Sequence, residues 1–490
     1  MKRLISLFLA VMALSLTACG KTTSSSPGMS DGSGNVSEAS GNIIPDNGSA
    51  PMGGENVQPT APTDSALTLL CIGQQGFLKT GCGTKDGYYS IEGFVASDRY
   101  AHITYIDYAS GQEVILCSDS SCKHDTERCT SVIEPSVSGM FFYKEHLYYY
   151  ASDWDSEGVM SAGSSFGKDD YDYGQWNEHM IQAALYRMNP DGTGRELVYT
   201  FGENDIMEGF AVGDENCIWF ITKELDLVRD EKTGATLTTS KNRALVKLDP
   251  DERRIVEQIP IYYNDNINKS FIGVCGTRLI FAGIAYPGGK SKLDYMEILA
   301  PSPTVGDTSG MAEYSAFMSK CEYTFFALDI SDKSMKEIYR GKFDDIGLDY
   351  NQVGDRLYIP TGKDYTSAFA LDLNTGSTDD FPVPEGYKLD DFVGDRPLYI
   401  TNGKEYKRYF QDPDTGEMKK WVLESEYNTG EVIAINGDNA LVVYDTVGEP
   451  VPGGGVRNPV DLYALMSLDD LYNGRANFKP IQMLERNTYR

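Results

Sequence analysis

The sequence predicts an all-β fold, a β-propeller of seven blades with four antiparallel strands each. Three observations predict it. A short polar turn leading into an apolar-aromatic strand recurs six times, and each copy is followed by a second strand that ends in Asp, Asn or Ser. The spacing of those ends falls toward a base period near 40 residues, which is the length of a four-stranded propeller blade.

The turn-and-strand segments are 143–150, 212–220, 274–281, 353–359, 393–400 and 435–443. Each reads as a hairpin, because the Gly-Asp pairs at 213, 354 and 394 and Asn436-Gly437 supply the backbone angles that tight turns need. The second strands are 184–189, 244–249, 325–329, 368–372, 407–412 and 461–467, and an earlier copy at 101–107 makes seven. Turns such as Asn189-Pro-Asp-Gly-Thr-Gly194 and Asp412-Pro-Asp-Thr-Gly416 then lead into an outer strand. The intervals between strand ends are 82, 60, 80, 43, 40 and 55 residues.

The excess length falls between the second and third strands of a blade, at 151–181, 223–243, 285–321 and 445–460. In a propeller those links all leave on one face, so four long loops should crowd one rim. They carry Trp154, Tyr171, Tyr173, Trp176, Tyr286, Tyr295 and Tyr314 among many carboxylates. Loops held by a rigid scaffold commonly carry binding, which makes these aromatic residues candidate ligand contacts. Closing the ring removes exposed sheet edges. The strand at Leu67 to Ile72 is expected to help seal it against the last blade.

The N-terminus has its own signature. Met1-Lys2-Arg3 precedes an apolar run from Leu4 to Leu16, and Leu16-Thr17-Ala18-Cys19-Gly20 follows. That order is a secretory signal, and a 13-residue apolar run falls short of the ~20 residues that cross a bilayer. Leu-Thr-Ala-Cys resembles the lipobox of bacterial lipoproteins, which implies lipidation of Cys19 and cleavage just before it. Two acyl chains hold a protein stably on a membrane. The expected organisation is a signal peptide over 1–18, a Gly/Ser/Pro-rich tether over 19–65 and a propeller over 66–490, outside the cytoplasm and lipid-anchored to the cell membrane. The tether has too few large apolar residues to fold, and as a coil it would reach roughly 35 to 40 Å.

Charge narrows the partners. With 72 acidic and 43 basic residues the chain carries −29, or −31 once Lys2 and Arg3 are removed. Such a chain repels phosphate backbones and anionic lipid, which excludes nucleic acid. The expected partners are the membrane through the lipid anchor, and a peptide, a glycan or an envelope protein.

The sharpest local motif is Cys117-x4-Cys122-x-His124-x4-Cys129. Three thiols and an imidazole within one short stretch suit a tetrahedral structural zinc. A disulfide, natural in an exported protein, is the other reading, with the odd thiol paired to Cys71 or Cys82. The other three histidines, at 102, 146 and 179, are too scattered for a multi-His site, and His102 and His146 fall in strand patterns as packing residues. Cys217, Cys275 and Cys321 read as buried inert thiols. Gly163-Ser-Ser-Phe-Gly167 fits G-x-S-x-G, but Ser165 lies in a Gly/Ser/Asp loop and not at a strand-to-helix turn. The acidic run from Asp153 begins like a calcium loop but has Ser164 where a bidentate Glu belongs. No catalytic residue is assigned.

Gly87-Tyr-Tyr-Ser-Ile91, Ile106-Asp-Tyr-Ala-Ser-Gly111 and the run from Leu116 to Cys129 resemble the opening of uncharacterised β-propeller surface lipoproteins of Gram-positive bacteria. Leu185-Tyr-Arg-Met-Asn-Pro-Asp-Gly-Thr-Gly194 is similar to TolB-like propellers. The resemblance implies a fold and a location, without an activity. Non-catalytic binding is the primary expectation. A carbohydrate-active enzyme using carboxylates in the central channel, or a scaffold for a transport or envelope complex, are the alternatives.

Overall fold

A computed structural model describes residues 66–485, apart from 73–80, 94–100, 127, 134–136, 155–179, 203–204, 230–235, 262–266, 290–315, 343–349, 363–364, 404–405, 426–429 and 451–455. Its strands form seven antiparallel sheets. Blade 1 is β2 (Gly81–Gly83), β3 (Gly87–Gly93), β4 (Ala101–Asp107) and β5 (Gln112–Ile115), with the short β6 (Val132–Ile133) also on β4. Blade 2 is β7 (Val137–Tyr143), β8 (His146–Trp154), β9 (Met180–Met188) and β10 (Glu196–Thr200). Blade 3 holds β12 (Phe210–Gly213), β13 (Ile218–Arg229), β14 (Thr236–Asp249) and β15 (Arg254–Pro260), joined by β1 (Thr68–Ile72) and β11 (Asp205–Met207). Blade 4 is β16 (Ile267–Cys275), β17 (Arg278–Ala285), β18 (Glu322–Asp329) and β19 (Met335–Lys342). Blade 5 is β20 (Asn351–Val353), β21 (Arg356–Thr361), β22 (Ser367–Asp372) and β23 (Thr378–Phe381). Blade 6 is β24 (Tyr387–Val393), β25 (Arg396–Thr401), β26 (Arg408–Gln411) and β27 (Met418–Lys420). Blade 7 is β28 (Glu431–Asn436), β29 (Asn439–Pro450), β30 (Val456–Ser467) and β31 (Lys479–Pro480), with helix α1 (Leu468–Tyr472) before its outer strand.

Local chemistry makes each blade. In the tight turns between first and second strands, Gly354, Gly394 and Gly437 take φ of 57°, 63° and 54°, angles that a side chain resists. After the third strand, a terminal Asp folds the next turn around its own carboxylate. Asp372 Oδ1 accepts from the Asn374 and Thr375 amides at 2.9 and 2.8 Å, and Asp412 Oδ1 does the same for Asp414 and Thr415 at 3.0 and 2.9 Å. The first strands of blades 2, 4, 6 and 7 each carry a bulge against the second, which deepens the strand twist a blade requires.

Seven buried apolar clusters separate the blades, one at each interface around the ring. The one between blades 4 and 5 joins Ile280 and Phe325 to Leu357 and Leu371. Blades 7 and 1 meet over Ile106, Leu441 and Ile481. That seam closes the circle.

The closure differs from the expectation that the strand at 67–72 would seal the last blade. β1 instead pairs with β12, the innermost strand of blade 3, Thr68 facing Gly213 and Ile72 facing Phe210. It also touches β7 and β16, the innermost strands of the neighbouring blades, and the Leu67 amide donates to Gly276 O at 2.9 Å. β1 therefore lies on the axial side of blades 2 to 4. The reason is burial, because it covers an edge whose Phe210, Ala211 and Val212 are all core residues. Blade 7 completes itself with β31, and the ring is clasped by the residues that follow. Gln482 bridges Gln112 in parallel. The Glu113 amide donates to Gln482 O at 3.0 Å, the Gln482 amide to Gly111 O at 2.8 Å, and the Leu484 amide to Glu113 Oε2 at 3.0 Å.

Candidate metal centre and the insertion-bearing face

The outer edge of β4 is shared. β5 pairs with it over Thr104–Asp107 and β6 over Ala101–His102, and residues 116–131 loop out between the two. Both ends of the excursion are pinned to β4, since Leu116 N–H donates to Ile103 O and Ile103 N–H to Ser131 O, each at 2.9 Å. The loop reverses on Asp119, whose Oδ1 accepts from the Ser121 amide and hydroxyl at 2.8 and 2.7 Å. It reverses again at His124, which takes φ 59°, a conformation unusual outside glycine.

These turns bring the predicted residues together. One donor atom from each of Cys117, Cys122, His124 and Cys129 lies within 4.8 Å of every other. His124 Nδ1 is 3.2 Å from Cys129 Sγ, and the His124 amide donates to Cys122 Sγ at 3.4 Å. All three thiols are free of disulfides. Burial pushes the Cys122 thiol up to about 11. Burial also raises Cys117, but hydrogen bonds with Thr130 and the Asp119 backbone outweigh it and leave that thiol below its usual value. Burial holds the His124 imidazole down against the pull of Asp119 and Asp125, which favours the neutral ring that a metal needs. A set of three sulfurs and one imidazole nitrogen, all converging, could hold a metal ion.

Two further residues stand behind the cluster. Ser131 Oγ lies 3.0 Å from Cys129 Sγ and 2.9 Å from His102 Nδ1. His102 is fully buried, with its ring edge-on to His124 at 6.4 Å. The sequence places His102 as a packing residue, and the structure adds this polar link. Nothing in the spacing signals it, because Ser131 and His102 meet only through the β4–β6 pairing. The loop is also fastened sideways, where Arg195 of blade 2 donates to Val132 O at 2.8 Å and to Thr130 O.

The remaining candidates distribute as follows. Cys71 and Cys82 sit in β1 and β2 and are not among the converging donors. Cys217, Cys275 and Cys321 are buried, and burial raises each thiol, Cys275 and Cys321 to about 11. Tyr286, taken from the sequence as a ligand contact, is only 8% exposed and packs on Phe317 in the core of blade 4. Its position directly after β17 lets the ring fold back onto that sheet. Trp154 ends β8, but its side chain lies outside the described residues, as do Tyr171, Tyr173, Trp176, Tyr295 and Tyr314. Cys19, the tether, Ser165 and the carboxylates from Asp155 onward are outside them too.

The four insertions do fall between second and third strands, joining β8 to β9, β13 to β14, β17 to β18 and β29 to β30, but only those of blades 2 and 4 are long links. In blades 3 and 7 the expected loops are instead longer hairpins, because Leu225 to Arg229 pair with Thr236 to Ser240 and Thr446 to Pro450 pair with Val456 to Asp461, leaving 230–235 and 451–455 between the strands. All four connections leave on one face. β1 runs antiparallel to β12, so its first residue stands at the tight-turn end. Residues 67 and 68 therefore stand at the opposite face, where the Leu67 amide meets Gly276 O in the tight turn of blade 4.

No protein-family model and no curated protein matches the sequence. Solved structures do. A Mycobacterium tuberculosis puromycin-hydrolyzing peptidase is 12% identical with a TM-score of 0.44, covering 84% of this chain and 54% of its own. A structure from a study of two prolyl endopeptidases is 11% identical with a TM-score of 0.44, covering 87% and 51%. The β-propeller domain of the Trilobed protease from Pyrococcus furiosus is 7% identical with a TM-score of 0.41, covering 84% and 99%. This chain spans about half the length of the peptidases.

Proposed function

We propose that the protein is a lipoprotein of the outer surface of the cell membrane, anchored through Cys19, whose propeller binds a peptide, a glycan or an envelope protein on its insertion-bearing face. One observation carries this reading. The second-to-third-strand links, long in blades 2 and 4, emerge from the face opposite the one where residues 67 and 68 stand. A tether on one side and variable loops on the other is the arrangement of a presented binding surface. The centre of the ring gives little support to a channel enzyme, because β1 lies there.

The experiment is affinity capture from envelope extract by the intact chain and by a chain whose links at 155–179 and 290–315 are replaced by tight turns. The captured set should shrink with the replacements. An unchanged set would remove the insertion face from consideration.

For the Cys/His cluster we propose a structural zinc held by Cys117, Cys122, His124 and Cys129. A disulfide would use two thiols and leave the imidazole without a role, whereas all four groups converge. The ion would tie the interrupted outer edge of blade 1 into one piece and hold it against Arg195 of blade 2.

A further inference from the structure

A second polar group lies at the foot of the blade 3 insertion. Glu208 joins β11 to β12, Lys223 lies in β13 opposite Ile206 of β11, and Arg243 lies in β14. β13 climbs from the tight turn at Asp214–Cys217 toward the insertion, so these residues stand at the insertion-bearing end. Glu208 and Arg243 are buried, and the Lys223 side chain is 22% exposed. The Arg243 guanidinium lies over the Phe281 ring of blade 4 at 6.0 Å, which places the group at the interface of blades 3 and 4. Both blades carry long insertions.

The charges here do not cancel. Arg243 Nη2 donates to Glu208 Oε2, so the single carboxylate is already held by a guanidinium. Lys223 Nζ is 3.9 Å from Glu208 Oε1, beyond hydrogen-bond reach. Among the described residues its ammonium makes no hydrogen bond, although it has three donors to satisfy. Burial lowers the Lys223 ammonium and Arg243 lowers it further, while Glu208 supports it. A largely desolvated cation whose carboxylate neighbour stands 3.9 Å away and is shared with a guanidinium is costly. In a chain of net charge −29 it is also a local reversal of sign. An arriving anion would satisfy both the charge and the open donors.

We propose that Lys223, resting on the Glu208–Arg243 pair, is a carboxylate-receiving subsite of the insertion-bearing face. It takes either a free organic acid or the C-terminal carboxylate of a peptide. The proposal deepens the binding reading above by naming ligand chemistry, and its test is separate from that of the insertions.

Calorimetric titration of the full chain with succinate, with tetra-alanine and with tetra-alanine amide tests it. The expected result is saturable binding of at least one carboxylate probe, with the amide weaker than the free peptide by about tenfold or more. Succinate alone binding identifies a free acid, and the free peptide binding more tightly identifies a chain terminus. Lys223→Met should weaken binding by about tenfold or more while Lys223→Arg retains most of it. Both variants keep the Glu208–Arg243 pair, and thermal unfolding confirms that they fold. Absence of saturable binding by any carboxylate, or wild-type affinity in Lys223→Met, overturns the proposal. If carboxylates bind but the insertion replacements leave partner capture unchanged, the subsite stands and the wider reading of the face falls.

Discussion

Single residues decide the turns and the cluster. Asp372 and Asp412 are partly exposed, and their carboxyls lie below the usual range because the backbone amide of the residue three positions on, Thr375 or Thr415, donates to them. A carboxyl lowered in the fold adds stability above its unfolded pKa, ~3.9, and loses it as pH falls through the lowered folded value. Asp412→Asn should therefore lower the urea midpoint near neutral pH and have a vanishing effect near pH 2. Equal effects at both pH values would show that the charge is irrelevant. At the cluster, Cys129→Ser should drop zinc from about one ion per chain to near none by elemental analysis, while Cys321→Ser leaves it unchanged. The terminal Asp residues and the Cys/His spacing were legible in the sequence because each acts within a few positions of itself. Ser131, His102 and the Lys223 group were not, since strand pairing alone brings them together.

Elements show the same division. The Gly-Asp and Asn-Gly hairpins and the third strands all stand where the repeat places them, because turn chemistry and period-two burial are local. β1 does not follow that rule. Thr-Leu-Leu-Cys-Ile is an apolar run that any open edge would accept, and its destination was set by the bare inner edge of β12. A chain beginning at residue 66 should keep the thermal midpoint of the longer protein, whereas one beginning at residue 73 should unfold several degrees lower or aggregate. Leu67→Ala, at a buried position, should cost about 2–4 kcal/mol in chemical denaturation. No loss in either would mean that β1 is merely appended. The Cys/His loop is likewise an element, and with the proposed zinc bound there, chelation should raise hydrogen exchange in 116–133 before it does so elsewhere.

At the scale of the molecule, the ring has one join across which no chain link leads from one blade into the next. Among the described residues, blades 1 and 7 share a small buried cluster, the clasp of Gln482 and Leu484 on β5, and a hydrogen bond from Asn436 Nδ2 to Lys85 O. Parting there stretches no chain link, whereas parting any other pair does. Amide exchange at Glu113 and Gln482 should be faster than in β17 or β18, and Ile481→Asp should accelerate it further. Uniform protection around the ring would contradict this. The sequence announced seven units and their order, but the closure involves Gln482-Met-Leu484, which has no recurring pattern to betray it.

The central claim is that this ring presents its insertion-bearing face to a partner while the tether leaves from the other. Photo-crosslinking on intact cells addresses it most directly, with the reactive residue placed either at the exposed Val447 beside the blade 7 insertion or at the exposed Asp395 in a tight turn. The account predicts a discrete crosslinked partner from position 447 and none from position 395. The same partner from position 395, with nothing from position 447, would contradict it.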